Sequence, residues 1–263
     1  MSISSKVVTS LALCLFTAPL FALAACSNAD ESVGKTIQPL TAVCVEPGAA
    51  PPAGAFTCGG TKTVECSSFD GAGVDQIFVP SSSPCADTTQ QVSNPGPFPV
   101  GTTQVTVTTQ ASDGGAAASC AATIHVVDTT PPTIEPKATT SLWPPNHTLH
   151  HVDLADCASV VDTCDPKVRI AITYVESDEP ANATGDGNTA ADIVNLSCTG
   201  VDLRAERSGN KDGRVYTIGV RATDAAGNHA DGACHVAVSH DQGNGVVAVG
   251  GPAAVHVAAP ACP

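Results

Sequence analysis

Short runs in which apolar and polar residues alternate, separated by clusters of Gly, Pro, Asp and Asn, recur from Thr61 onward. The clearest is Gln104-Val105-Thr106-Val107-Thr108, whose period of two and β-branched content are those of a strand with one buried face. The same pattern predicts strands over 61–66, 75–79, 102–109 and 121–127. Beyond Asp128-Thr129-Thr130-Pro131-Pro132 it resumes over 148–153, 168–175, 201–207, 215–222 and 235–238. No stretch of ten or more residues keeps a 3.6-residue apolar stripe free of Gly or Pro. The chain therefore reads as all-β, and two β-sandwiches in tandem are the economical arrangement.

An internal repeat sharpens that reading. The run from Gln104 to Gly115 is echoed from Tyr216 to Gly227, each a strand followed by an Asp/Gly turn. Each copy then reaches a cysteine, Cys120 or Cys234, that opens another alternating strand. A boundary follows near Thr129-Thr130-Pro131-Pro132, giving a first sandwich over 58–132 and a second over 133–242.

The ends are of another kind. A short basic start and the apolar run 7–22, too short for a membrane span and interrupted by Pro19, form the signal segment 1–25. It closes on Leu23-Ala24-Ala25-Cys26, which resembles the lipobox of bacterial lipoproteins. That resemblance implies acylation of Cys26, export and a membrane anchor; Ser27 after it, in place of Asp, implies the outer membrane or cell surface. Residues 26–57, rich in Ala, Pro and Gly, are expected to form a tether, and 243–263 a Gly/Ala-rich tail or one edge strand.

Composition narrows the function. The net charge of −14, with 11 Lys and Arg, excludes a nucleic-acid binder. Setting aside Cys14 and Cys26 from the 12 cysteines leaves an even number, the mark of five disulfides in an exported chain. No Cys-x-x-Cys pair, Gly-x-Ser-x-Gly elbow, phosphate loop or His-Glu-x-x-His motif is present, so no enzyme is expected.

Two resemblances cover most of the chain. Thr63-Val64-Glu65-Cys66, Phe98-Pro99-Val100-Gly101-Thr102-Thr103, Ser119-Cys120 and Val126-Val127-Asp128-Thr129-Thr130-Pro131-Pro132 resemble the hyalin repeat, or HYR, domain. The resemblance implies an immunoglobulin-like sandwich associated with adhesion, with Cys58 paired to Cys120 and Cys66 to Cys85. The turn differs: Asp113-Gly114-Gly115 stands where that family has Asp-Ala-Ser-Gly-Asn. The second half carries Leu142-Trp143-Pro144-Pro145-Asn146-His147, Ser177-Asp178-Glu179-Pro180 and Gly185-Asp186-Gly187-Asn188-Thr189. It also carries Leu203-Arg204-Ala205-Glu206-Arg207-Ser208-Gly209 and Gly213-Arg214-Val215-Tyr216-Thr217-Ile218. This set resembles a module found beside HYR repeats in bacterial secreted proteins, which implies a second immunoglobulin-like fold and no activity. Local pairing of Cys157 with Cys164, and Cys198 with Cys234 across strands, would leave Cys44 with Cys262; spacing alone does not fix these pairs.

The acidic segment with Asp178, Glu179, Asp186, Asn188 and Asp192 is the candidate calcium site, because calcium takes six to eight oxygens from carboxylates and carbonyls. The twelve-residue calcium-loop pattern is not met: with Asp186 and Gly187 at loop positions 5 and 6, Ile193 falls where a bidentate Glu belongs. His147, His150 and His151 do not make a zinc site, since in a strand His147 and His151 lie roughly 13 Å apart and zinc bonds nitrogen at about 2.0–2.1 Å. Ser239-His240-Asp241 has the residues of a triad, but neighbours in a strand face opposite ways. Trp143 could stack on a sugar, though the single Trp of a small sandwich more often anchors a core or junction. The expected function is non-catalytic: a lipid-anchored envelope protein for adhesion, spacing, or protein or glycan binding, with calcium-dependent ligand binding as the alternative.

Overall fold

The computed structural model describes residues 37–82, 84–115, 118–138, 140–182, 184–187, 189, 191–241, 248 and 250–262. The signal segment, Cys26 and Asn188 lie outside the described residues.

The first half holds β1 (Thr41–Val45), β2 (Thr61–Glu65), β3 (Gln76–Pro80), β4 (Thr88–Val92), β5 (Gly101–Ala111) and β6 (Ala118–Val127). Four of them form the sheet β2-β6-β5-β4, and β1 pairs in parallel with β3 opposite it. The alternation read in the sequence sets which side chains face inward. Val105 and Val107 of β5 and Ile124 and Val126 of β6 are buried against Ile77, Val79 and Phe98, while Thr106 points out.

The second half holds β7 (Thr133–Pro136), β8 (Thr140–Ser141), β9 (Leu149–Asp153), the one-turn helix α1 (Leu154–Cys157) and β10 (Ala158–Val161). It continues with β11 (Arg169–Ser177), β12 (Ile193–Val194), β13 (Gly200–Arg204), β14 (Gly213–Thr223), β15 (His229–Ser239) and β16 (Val255–Ala258). The sheet β16-β11-β14-β15-β8 faces β12-β13-β9, with β7 and β10 paired beside them. Between the sheets lie Leu142, Val152, Ile172, Val175, Val201, Leu203, Tyr216, Ile218 and Val220. The protein is thus all-β, built of sheets packed face to face and held by five disulfides.

The sequence repeat is one hairpin built twice. In the first, Val107 sits opposite Cys120; in the second, Ile218 sits opposite Cys234.

Two expectations are corrected. Residues 37–57 are not a tether: Leu40, Val45 and Phe56 are 3%, 6% and 6% exposed within the first core, and β1 completes its second sheet. Buried apolar residues, the β1–β3 pairing and the Cys44–Cys85 bridge together hold this segment down. At the other end, β16 adds to the edge of β11, so of the two readings of the C-terminal segment 255–258 is the edge strand.

The second correction is disulfide pairing. Cys58 joins Cys120, as the HYR resemblance implies, but the other bridges are Cys44–Cys85, Cys66–Cys164, Cys157–Cys234 and Cys198–Cys262. The sheet register explains why Cys66 does not meet Cys85. Glu65 pairs with Val127 at the C-terminal end of β6, whereas Thr88 pairs with Ala111 at the far end of the hairpin. The length of β6 separates them, and a bridge needs Cα atoms within about 7 Å. Cys66 instead meets Cys164 of the second half, Cα to Cα 6.0 Å. Cys157, at the end of α1, and Cys234 are each 3% exposed and meet inside the second core, which leaves Cys198 beside β11 to reach Cys262.

Candidate functional site

The motifs of the second half converge on one side chain, Arg214. Gly213, at φ +125°, opens β14 where an added Cβ would lie 2.6 Å from the Val238 carbonyl oxygen. The strand period then turns Arg214, Tyr216 and Ile218 inward together, and all three are fully buried. A buried guanidinium must direct its donors at fixed acceptors. Its Nη1 donates to Asp192 and, at 3.1 Å, to Tyr216 Oη; Nε reaches Glu179 Oε2 at 3.5 Å; Nη2 donates to the Pro180 carbonyl at 3.1 Å. Tyr216 Oη in turn donates to the Arg204 carbonyl at 2.9 Å.

The surrounding motif residues support this centre. Ser208 N donates to Glu179 Oε2 at 2.7 Å, and Ser177 Oγ donates to the Glu179 carbonyl at 2.8 Å. Arg204 Nε lies 3.5 Å from Asp192 Oδ1, and its Nη1 donates to the His147 carbonyl at 2.8 Å. Glu206, 0% exposed, takes Thr189 Oγ1 and His147 Nδ1, the latter at 3.1 Å. Gly187 makes room for that histidine: a Cβ there would fall 2.6 Å from His147 Cε1. The Asp186-Gly187 turn, read in the sequence as part of a calcium loop, is thus the turn that lets His147 close over Glu206.

Three buried carboxylates, Glu179, Asp192 and Glu206, gather in this way about Arg214 and Arg204. Burial raises the pKa of Asp192 above its ordinary value, with the Arg214 hydrogen bond opposing and Glu206 adding to the rise. Burial likewise pushes the Tyr216 phenol up. For Arg214 burial works against the charge, but Tyr216 and Asp192 outweigh it and the guanidinium is held charged. Glu179 Oε1 and Glu206 Oε1 are buried without a hydrogen-bond partner among the described residues.

Of the expected calcium ligands, Glu179 and Asp192 therefore address Arg214, a cation the chain supplies itself. Asp178 accepts from the backbone N–H groups of Val215 at 2.8 Å and Gly251 at 3.2 Å, tying the β11 end to β14. Asp186 is buried at 2% exposure. Among the described residues, the one group of three with ligand atoms within 4.8 Å of each other is Asp128, Asp162 and Cys164, and Cys164 is already bonded to Cys66.

The remaining candidates are peripheral. His151 Nδ1 lies 2.6 Å from Asp202 Oδ1 and His150 Nε2 lies 3.0 Å from Thr148 Oγ1, so each histidine has its own neighbour. His240 pairs with adjacent Asp241 at 3.2 Å, while Ser239 continues the ladder opposite Gly213. Trp143 is half-buried and outside the core clusters; Leu142 beside it enters the core.

Sequence reasoning passed over Arg214, Tyr216 and Glu206 as site residues. The signal was a charged residue in phase with Tyr216 and Ile218 on the inward face of a predicted strand.

No protein-family model and no curated protein matches the chain. Among solved structures it is similar to human protocadherin-24 EC1-2, with 16% identity over 59% of this chain and 83% of that one and a TM-score of 0.29. It is also similar to protocadherin gamma C5 EC1-3, with 14% identity over 60% and 54% and a TM-score of 0.29. The fibronectin(III)-like modules of CbhA from Clostridium thermocellum give 12% identity over 72% and 92%, with a TM-score of 0.23. Likenesses at this level say nothing of activity, so function is argued from the chain's own residues.

Proposed function

We propose that the chain is an exported bacterial lipoprotein, held to the outer membrane or cell surface through Cys26, whose HYR-like and second immunoglobulin-like sandwiches act without catalysis in adhesion or spacing. One observation carries the reading: Glu179, Asp192 and Glu206 of the motifs are buried, and Glu179 and Asp192 are engaged by Arg214. They serve the frame, which leaves exposed faces to meet partners. The lipobox-like sequence and a disulfide-rich all-β fold agree with an oxidising location outside the cytoplasm. Among the described residues no helix is long and apolar enough to cross a membrane.

The test is the intact mass and fractionation of the full chain expressed with its own leader in a bacterial host. An acyl mass on Cys26, ten cysteines alkylated only after reduction, and release of Cys26→Ala from the membrane fraction are expected, together with loss of cell adhesion in that variant. An unacylated wild-type chain, or adhesion unchanged by release, overturns the reading.

Calcium-dependent binding is favoured by one feature: Glu179 Oε1, Asp192 Oδ1 and Glu206 Oε1 are buried without a hydrogen-bond partner among the described residues. A melting temperature several degrees higher in millimolar calcium than in chelator supports it, and no shift removes it.

A further inference from the structure

A cleft of about 510 Å³ opens at the far end of the second sandwich, away from the motifs that meet at Arg214. Its size falls within the range of small-ligand and peptide sites. It lies along the N-terminal half of β11. That strand is paired with β14 from Arg169 to Ser177, but β16 covers its other edge only from Tyr174 to Ser177. Over Arg169 to Thr173 the edge is closed in part: Ile172 N–H donates to the Cys198 carbonyl and the Thr173 carbonyl accepts from Ala259 N–H, both at 2.9 Å. Backbone groups in an antiparallel ladder alternate in direction, so Ile170 N–H and C=O face the same way as Ile172 N–H. No described residue pairs with them. The Cys198–Cys262 bridge and Pro260 form the opposite wall.

The cleft is basic in an acidic chain. Arg169 and Arg221 both line it. Since Ala171 sits opposite Arg221 and Arg169 opposite Thr223, the two arginines are diagonal neighbours across the β11–β14 pair, on the same face. The Arg221 charge is answered by Asp231 through bonds of 2.7 and 2.8 Å. Arg169 is exposed and has no ion partner among the described residues. With 25 acidic residues against 11 basic ones in the whole chain, a guanidinium left over beside an unfilled strand edge is a local exception.

We propose that this cleft binds an extended acidic peptide, which adds as a short strand to the free edge at Ile170 and sets a carboxylate on Arg169. Strand addition takes its affinity from main-chain hydrogen bonds and its selectivity from side chains at alternate positions. Arg169 supplies the charge selectivity and the disulfide wall limits how many residues fit. Such a cleft would give the adhesive reading a partner class and rests on it. The test uses the purified chain in solution, so failure here is distinguishable from failure of the membrane anchor.

The probe is a fluorescently labelled peptide of alternating Val and Glu, compared with its Val/Lys counterpart and with a Val/Glu peptide N-methylated at every second amide. Saturable binding of the Val/Glu peptide in the micromolar range is expected. Arg169→Glu should weaken it at least tenfold while leaving the melting temperature unchanged, since Arg169 is exposed. The Val/Lys and N-methylated peptides should not bind. Absence of Val/Glu binding overturns the proposal, as does binding that Arg169→Glu leaves intact. Equal binding by the N-methylated peptide removes strand addition and overturns it as well.

Discussion

The two sandwiches share a hairpin and differ inside. In the first, every residue of the core is apolar or a bridged cysteine, and among the described residues no charged side chain is buried there. In the second, the buried set includes Glu179, Asp186, Asp192, Glu206, Arg214 and Asp224. An apolar core gains free energy in proportion to area and tolerates re-packing if volume is kept. An ion cluster gains little net energy, because desolvating charges is costly, but it is intolerant of losing any one partner. The comparison teaches that the repeat sets the strand frame, while the motifs peculiar to the second half fix how its open end closes.

The sharpest way to break the contrast is Arg214→Met. It strands Glu179 and Asp192 in a buried site. The second sandwich should then lose about 3–5 kcal/mol in denaturant unfolding, the size of effect expected on removing one partner of a buried pair. An unchanged midpoint would mean that the cluster does not hold that end together. A pH signature accompanies it. Burial raises Asp192 above its ordinary 3.8, so the folded state holds that proton more tightly than the unfolded one. Stability should therefore fall as pH rises from about 3.8 through the raised value, and Asp192→Asn should flatten that slope.

Next in size, removing Cys157–Cys234 by paired alanines should cost about 2–4 kcal/mol, and removing Cys58–Cys120 a similar amount, because the two bridges leave equivalent places on the repeated hairpin. Melting of both variants checks this; a large difference would show that the hairpins are not energetically equivalent. Smaller again, Ile124→Val in the first core should cost about 0.5–1.5 kcal/mol, the ordinary effect of one buried methylene, read from the shift of the denaturant midpoint.

Smallest is the surface pair His151 and Asp202. The hydrogen bond to Asp202 raises the histidine pKa above 6.5. The Asn195 amide and His151 together hold the Asp202 carboxyl below its ordinary value. The raised histidine favours the folded state below 6.5, and that advantage fades as pH climbs through its folded value. An NMR titration should place His151 above 6.5 in the native chain and back toward it in Asp202→Asn; an unshifted native value would discount the contact.

Much of the frame was legible because alternation reports one-sided burial directly. The strand expected over 102–109 is β5, and that expected over 215–222 is β14. What escaped had no alternation to show: β4 reads Thr-Thr-Gln-Gln-Val, and β1 sits among prolines and glycines. The acidic segment stands out in the sequence, but its chemistry depends on which cation faces it. Arg214 is separated from Glu179 by 35 positions, so only the fold brings them together. The bridges escaped for the same reason. Pairing follows the ends of strands in space, and local spacing favoured Cys157 with Cys164 when each has a partner far along the chain.

The order of those bridges has a consequence for how the protein comes apart. Taken along the chain, the loops closed by Cys44–Cys85, Cys58–Cys120, Cys66–Cys164, Cys157–Cys234 and Cys198–Cys262 each overlap the next. Every peptide bond between Cys44 and Cys262 therefore lies inside at least one closed ring. A protease that nicks any exposed turn leaves both fragments joined, and a pull applied at the two ends runs across sulfur from ring to ring instead of unravelling the strands. Under cutting or pulling, the chain behaves as linked mail rather than as thread.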